Sequence, residues 1–119
     1  MSNAEIKKVE KPWGYELIWA KTAKYVGKIL HVNKGHKLSL QHHRIKEETI
    51  LISKGKIEFQ YENEKGKLES HILAEGQKYH ILPLRKHRMI ALEDTDIFEV
   101  STPELDDVVR FEDAYGRTD

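Results

Sequence analysis

An all-β fold of short antiparallel strands, a sandwich or barrel, is what this sequence predicts, and three observations carry that reading. Apolar and polar residues alternate over short stretches rich in β-branched and aromatic side chains. Turn residues punctuate the chain at roughly ten-residue intervals. No amphipathic helical pattern runs beyond about two turns.

The elements follow in order. Strand patterns cover residues 15–19 and 25–32, and Asn33-Lys34-Gly35 turns the chain after the second. Leu38-Ser39-Leu40-Gln41-His42-His43 reads as the next strand, ending at a polar turn over residues 44–47. A strand over residues 49–53 runs on past Gly55 into 56–62, where Ile57, Phe59 and Tyr61 share one side and Glu58, Gln60 and Glu62 the other. Residues 63–67 suit a hairpin loop, with Gly66 free to take positive φ, and lead into a strand over 68–73. The turns Glu75-Gly76 and Glu93-Asp94-Thr95-Asp96 precede a last strand over 97–101. The acidic stretch at 103–107 predicts the start of a short helix.

Composition narrows the function. At 119 residues the chain fits one domain. Twenty basic residues balance twenty acidic ones, so no basic face is expected for nucleic acid. No apolar run approaches the ~18 residues of a membrane span, and the first residues, MSNAEIKKVEKPW, hold no apolar signal core. No membrane partner and a cytoplasmic location are therefore expected. The absence of cysteine excludes disulfides, thiolate ligands and a cysteine nucleophile. Seven histidines remain to be explained.

Alternation puts Gln41 and His43 on one side of their strand and His42 on the other. A polar turn then returns the chain to Glu48, which an antiparallel hairpin would set beside Gln41 and His43. Imidazole with carboxylate suits a divalent metal, and an amide oxygen is an acceptable harder ligand. His87 is the best candidate for a fourth ligand from farther along the chain. His36 sits in a polar turn, His31 and His71 lie in strands where either face is open to them, and His80 has no partner at ligand spacing, so all four read as ordinary polar residues.

These residues resemble the cupin pattern. Gly35, Gln41, His43, Glu48 and Gly55 stand at the spacings of the first cupin motif, with Gln41 in place of its first histidine. Gly76 and His87 keep the separation of the second motif, although Leu84 and Ala91 replace its glycine and asparagine. The nearer resemblance is to the cupin domain of type II mannose-6-phosphate isomerases. It is carried by Lys11-Pro12-Trp13-Gly14-Tyr15-Glu16, by Gly35-His36-Lys37-Leu38-Ser39-Leu40-Gln41-His42-His43, and by Val109-Arg110-Phe111-Glu112-Asp113-Ala114-Tyr115-Gly116-Arg117. Where the family pattern runs on in further histidines and an arginine, this chain has Arg44-Ile45-Lys46. The guanylyltransferase domain often joined to such cupins is not expected in this chain, which has no glycine-rich nucleotide loop.

The resemblance implies a cupin double-stranded β-helix, a jelly-roll barrel, over residues 1–119. It also implies interconversion of mannose 6-phosphate and fructose 6-phosphate through an enediolate. A divalent metal, zinc first and manganese, iron, cobalt or nickel after it, would sit on Gln41, His43, Glu48 and His87 and stabilise the developing charge. Lys46 and Arg88 are candidates for electrostatic help in catalysis. Arg110 and Arg117 would clamp the phosphate of the sugar or anchor the C-terminal segment. The general base is not identified. Two alternatives stand beside this reading: a metal-binding cupin of another reaction, such as a dioxygenase or a sugar epimerase, and a non-catalytic sugar-binding cupin. Pairing of two copies through a sheet edge, giving a homodimer, is the expected assembly.

Overall fold

The computed structural model describes residues 4–117. Eleven strands are formed and, among the described residues, no helix. In chain order they are β1 Lys7–Lys11, β2 Gly14–Lys21, β3 Val26–Val32, β4 Leu40–His42, β5 Glu48–Lys54, β6 Lys56–Glu62, β7 Leu68–Ala74, β8 Lys78–Ile81, β9 His87–Ala91, β10 Thr95–Ser101 and β11 Val109–Glu112. They make two antiparallel sheets, ordered β1-β2-β3-β10-β5-β8 and β11-β4-β9-β6-β7. The all-β expectation therefore holds.

Alternation decides what lies between the sheets. Ile57, Phe59 and Tyr61 of β6 point inward, as their period of two predicts. From the larger sheet, Leu30, Val32, Ile50, Ile52 and Ile97 meet them, and Trp13 and Met89 close the same core. Phe59 is fully buried, and its truncation to alanine would cost about 3–5 kcal/mol. The loop at 63–67 is the hairpin expected: Asn63 Oδ1 accepts from the Lys65 and Lys67 amides, and Gly66 takes a φ of 78°.

The structure corrects three expectations. The run through Gly55 is two strands in opposite sheets, because Gly55 (φ 93°) turns the chain across the sandwich between β5 and β6. Residues 103–107 form turns rather than a helix start. β4 and β5 are not a hairpin: they belong to different sheets, and Glu48 reaches the Gln41–His43 segment across the interior. The strands β1, β8, β9 and β11 were not anticipated. Each is four or five residues long, and β1, β8 and β11 are sheet-edge strands with mixed burial. No helix among the described residues is long and apolar enough to cross a membrane.

Candidate metal centre

Three short segments bring the site together. His43 follows directly on β4, Glu48 opens β5 on its inward face, and His87 opens β9. All three are buried, at 3%, 3% and 1% exposure. One ligand atom from each can be chosen so that all lie within 4.8 Å of one another. His43 Nε2 stands 3.4 Å from Glu48 Oε2, and His87 Nε2 3.9 Å from Glu48 Oε1.

The outer nitrogen of each imidazole is already committed. His43 Nδ1–H donates to the Asp107 carbonyl oxygen at 2.6 Å, and His87 Nδ1–H donates to that of Arg85 at 2.9 Å. A carbonyl can only accept, so these bonds place the lone pair of each neutral ring on Nε2, facing the cluster. Both Nε2 atoms are buried without a hydrogen-bond partner. An unsatisfied buried nitrogen costs free energy that a metal ion would recover. Burial also lowers the proton affinity of His87, which favours the neutral, ligating form. Two imidazoles and a carboxylate fit zinc and the late divalent transition metals.

Lys46 is part of this arrangement. It is buried, with Nζ 3.1 Å from Glu48 Oε2 and 3.5 Å from Glu99 Oε2. Burial opposes its charge, but the carboxylates of Glu99 and Glu48 outweigh that and keep it protonated well above the ordinary lysine range. Burial would raise the Glu48 carboxyl in turn, yet the contact with His43 and the charge of Lys46 hold it below the ordinary range.

Asp107 secures the loop that delivers both residues. Its carboxylate accepts from the amides of Arg44, Ile45 and Lys46 at 3.1, 2.7 and 2.9 Å. Although desolvation works against the charge, those three bonds pull the Asp107 carboxyl down to about 2.

The other predicted residues lie in different places. Gln41 is paired in register with His87 across β4 and β9 and lines the cavity beside His43, with Oε1 accepting from Ser39 Oγ at 3.0 Å. Arg110 and Arg117 line the same cavity, and Arg117 is held in a fork by Asp113 at 3.0 and 3.1 Å. Arg88 is not among the cavity-lining residues. Its guanidinium is spent on the carbonyls of Leu38 and Glu112 and on the Glu112 carboxylate, tying β9 to β11. The reason is alternation: His87 and Met89 face the core, so Arg88 faces away.

The cavity has a volume of about 580 Å³, within the range of small-molecule sites. Apart from His43, its charged lining is seven basic residues (Lys7, Lys11, Lys21, Lys28, Lys46, Arg110, Arg117) against four acidic ones (Glu16, Glu48, Glu99, Asp106). Sequence reasoning missed Glu16, Lys28 and Glu99. Phe98 and Val100, which flank Glu99, are apolar and exposed, so alternation in β10 does not mark the face of Glu99 as the inner one.

Comparison with known proteins places this geometry. The family model described as Mannose-6-phosphate isomerase C-terminal matches residues 2–113. A search of curated proteins finds no match. Among solved structures, KdgF from Halomonas sp. superposes with a TM-score of 0.71 at 19% identity, covering 86% of this chain and 90% of that one. The capsular polysaccharide assembling protein CapF from Staphylococcus aureus gives 0.75 at 16% identity, over 91% of this chain and 34% of its own. Oxalate decarboxylase from Bacillus subtilis gives 0.77 at 16%, over 93% and 31%. The chain thus spans about a third of the length of these last two. At such identities the likeness is one of fold, and the fold is the cupin jelly roll. With the family pattern met along nearly all of its length, the chain belongs to the mannose-6-phosphate isomerase C-terminal family of cupins.

Proposed function

We propose that the protein is a metal-dependent sugar-phosphate isomerase that interconverts mannose 6-phosphate and fructose 6-phosphate. One observation carries the reading: two partnerless imidazole nitrogens and a carboxylate converge at the wall of a cavity that His43 and Glu48 line and whose lining is predominantly basic. The chain as a whole is neutral, so this positive lining is local and suits an anionic substrate.

His43, Glu48 and His87 would hold the metal, with Gln41 as the fourth ligand. When bound, the ion supplies Lewis-acid stabilisation of the negative charge that builds on the sugar oxygens. The protein's own groups do the rest. Lys46, charged and buried beside Glu48, adds a fixed positive potential where that charge develops. Lys7 and Lys21 have no ion-pair partner among the described residues and, with Arg110 and Arg117, offer the phosphate its counter-charges. Protein reconstituted with zinc, manganese, cobalt, iron or nickel should convert mannose 6-phosphate to fructose 6-phosphate, and metal-free protein should not.

A second reading has an observation of its own. Gln41 Oε1 already accepts from Ser39. Were Gln41 not to ligate, two histidines and one carboxylate would remain, a set typical of iron oxygenases. Selective iron uptake with substrate-dependent oxygen consumption would favour that alternative.

We also infer a homodimer closed through the outer face of the larger sheet rather than through a sheet edge. Leu17, Ile29, Phe98 and Leu51 stand side by side across β2, β3, β10 and β5, with Trp19 and Val100 alongside. Trp19 is 52% exposed, Phe98 42%, Val100 53% and Leu51 38%. With Tyr25 nearby this makes roughly 500 Å² of apolar surface, near the upper end for a monomer. That is about the apolar share of a standard dimer interface of ~800 Å² per partner. Sedimentation equilibrium should return a dimer that Phe98→Glu breaks into folded monomers, and a monomeric parent protein would contradict the assignment.

A further inference from the structure

The isomerisation needs a group that takes a proton from C2 and returns it to C1, and the cavity narrows the choice by elimination. Its lining contains four carboxylates. Glu48 belongs to the metal cluster. Glu16 has both carboxylate oxygens hydrogen-bonded by Lys28 Nζ, at 3.4 and 3.5 Å, and Lys11 stands 4.0 Å away. Asp106 is exposed to solvent. His43, the imidazole in the lining, has its outer nitrogen donating to Asp107 and its inner one facing the metal position. Lys46 is held as an ammonium between two carboxylates and has no lone pair to offer.

Glu99 remains. It projects from β10 into the interior, one position along from Ile97 on the same face, and is 5% exposed. Its Oε2 is buried without a hydrogen-bond partner, and its contact is with Lys46 Nζ, 3.5 Å away. The same ammonium touches Glu48 Oε2 at 3.1 Å, so Glu99 stands one charged group away from the metal cluster. A buried carboxylate held by one ion pair and no hydrogen bond has a high cost in stability, and sites of chemistry are where such costs persist.

We propose that Glu99 is the proton carrier of the isomerisation, with Lys46 as the residue that positions it. The proposal rests on the isomerase reading above. The ionised carboxylate takes the C2 proton as the electrons of that C–H bond form the C1–C2 double bond and those of the C1 carbonyl move onto its oxygen. The hydroxyl proton passes from O2 to the adjacent O1. Collapse of the enediolate then makes the C2 carbonyl while the Glu99 carboxyl returns its proton to C1, so hydrogen atoms and charge are conserved. Burial raises the proton affinity of Glu99, the direction that a base working near neutral pH requires.

The test is Glu99→Gln, assayed with mannose 6-phosphate in heavy water by NMR, with bound metal measured on the same samples. Loss of the base should lower kcat by 10²–10⁴-fold, with KM within about threefold and metal content unchanged, and should abolish exchange of the C2 hydrogen with solvent. A Glu99→Gln protein that turns over within tenfold of the parent overturns the proposal and leaves the isomerase reading standing. A metal-loaded parent protein that forms no fructose 6-phosphate overturns both. Should Glu99→Gln fail to fold, Glu99→Asp keeps the charge and withdraws it by one methylene. A kcat at least tenfold lower is then expected, and an unchanged kcat overturns the assignment.

Discussion

The imidazole of His43 donates from Nδ1 to the carbonyl oxygen of Asp107 at 2.6 Å, across a sequence separation of sixty-four residues. The same aspartate takes three successive amides, from Arg44 to Lys46, on its carboxylate. One residue in the connection between β10 and β11 thus aims a candidate ligand and holds the loop that follows it. Charge-assisted bonds of this kind are among the stronger ones in a fold.

Asp107→Ala should therefore lower stability by about 2 kcal/mol and weaken metal binding while every candidate ligand stays in place. The pH dependence has a definite sign. The folded-state value of about 2 lies below the unperturbed 3.8, so the carboxylate contributes fully above the unperturbed value and loses its contribution as pH falls towards 2. Thermal unfolding of the parent and of Asp107→Asn should give curves that converge over that window.

Removing a ligand tests the centre itself. His43→Ala and His87→Ala should each abolish stoichiometric metal binding and reduce isomerase activity to background, with the β-sheet circular dichroism spectrum retained. Gln41→Ala should lower metal affinity by less, because two imidazoles and a carboxylate remain. Elemental analysis of dialysed protein reads both outcomes.

Lys46→Met leaves the buried carboxylates of Glu48 and Glu99 without their common counter-ion. Stranding a buried charge costs about 3–5 kcal/mol. That loss should appear in urea unfolding of the metal-free protein, and it should shrink when a divalent metal neutralises Glu48. An equal loss with and without metal would separate Lys46 from the centre.

Gly14 opens β2 with a φ of 152°, and a Cβ there would sit on the His31 carbonyl oxygen. That oxygen belongs to the neighbouring strand β3 and has little room to yield. Gly14→Ala should cost at least about 2 kcal/mol in chemical denaturation.

The strands that alternate cleanly, such as residues 56–62, were legible from sequence because one face is buried and the other is not. Edge strands such as β1 and β11 were not, since neither of their faces is deeply buried and charged residues fill them. His43, Glu48 and His87 were legible as a set from spacing and resemblance. The route that joins them was not: an expected hairpin is in fact a crossing between sheets, and spacing along the chain cannot distinguish the two. Glu99 was hidden because Phe98 and Val100, which flank it, are apolar and exposed. Arg88 reads as a site residue next to His87, yet a strand sends successive side chains to opposite sides.

A metal held by His43, Glu48 and His87 and used to isomerise a sugar phosphate must leave its mark on turnover. The most direct measurement follows mannose 6-phosphate by phosphorus NMR with protein reconstituted in turn with zinc, manganese, cobalt, iron and nickel. The predicted result is a fructose 6-phosphate signal with at least one metal, absent from metal-free protein and from His43→Ala. Protein that carries a stoichiometric metal and forms no fructose 6-phosphate with any of the five would contradict it.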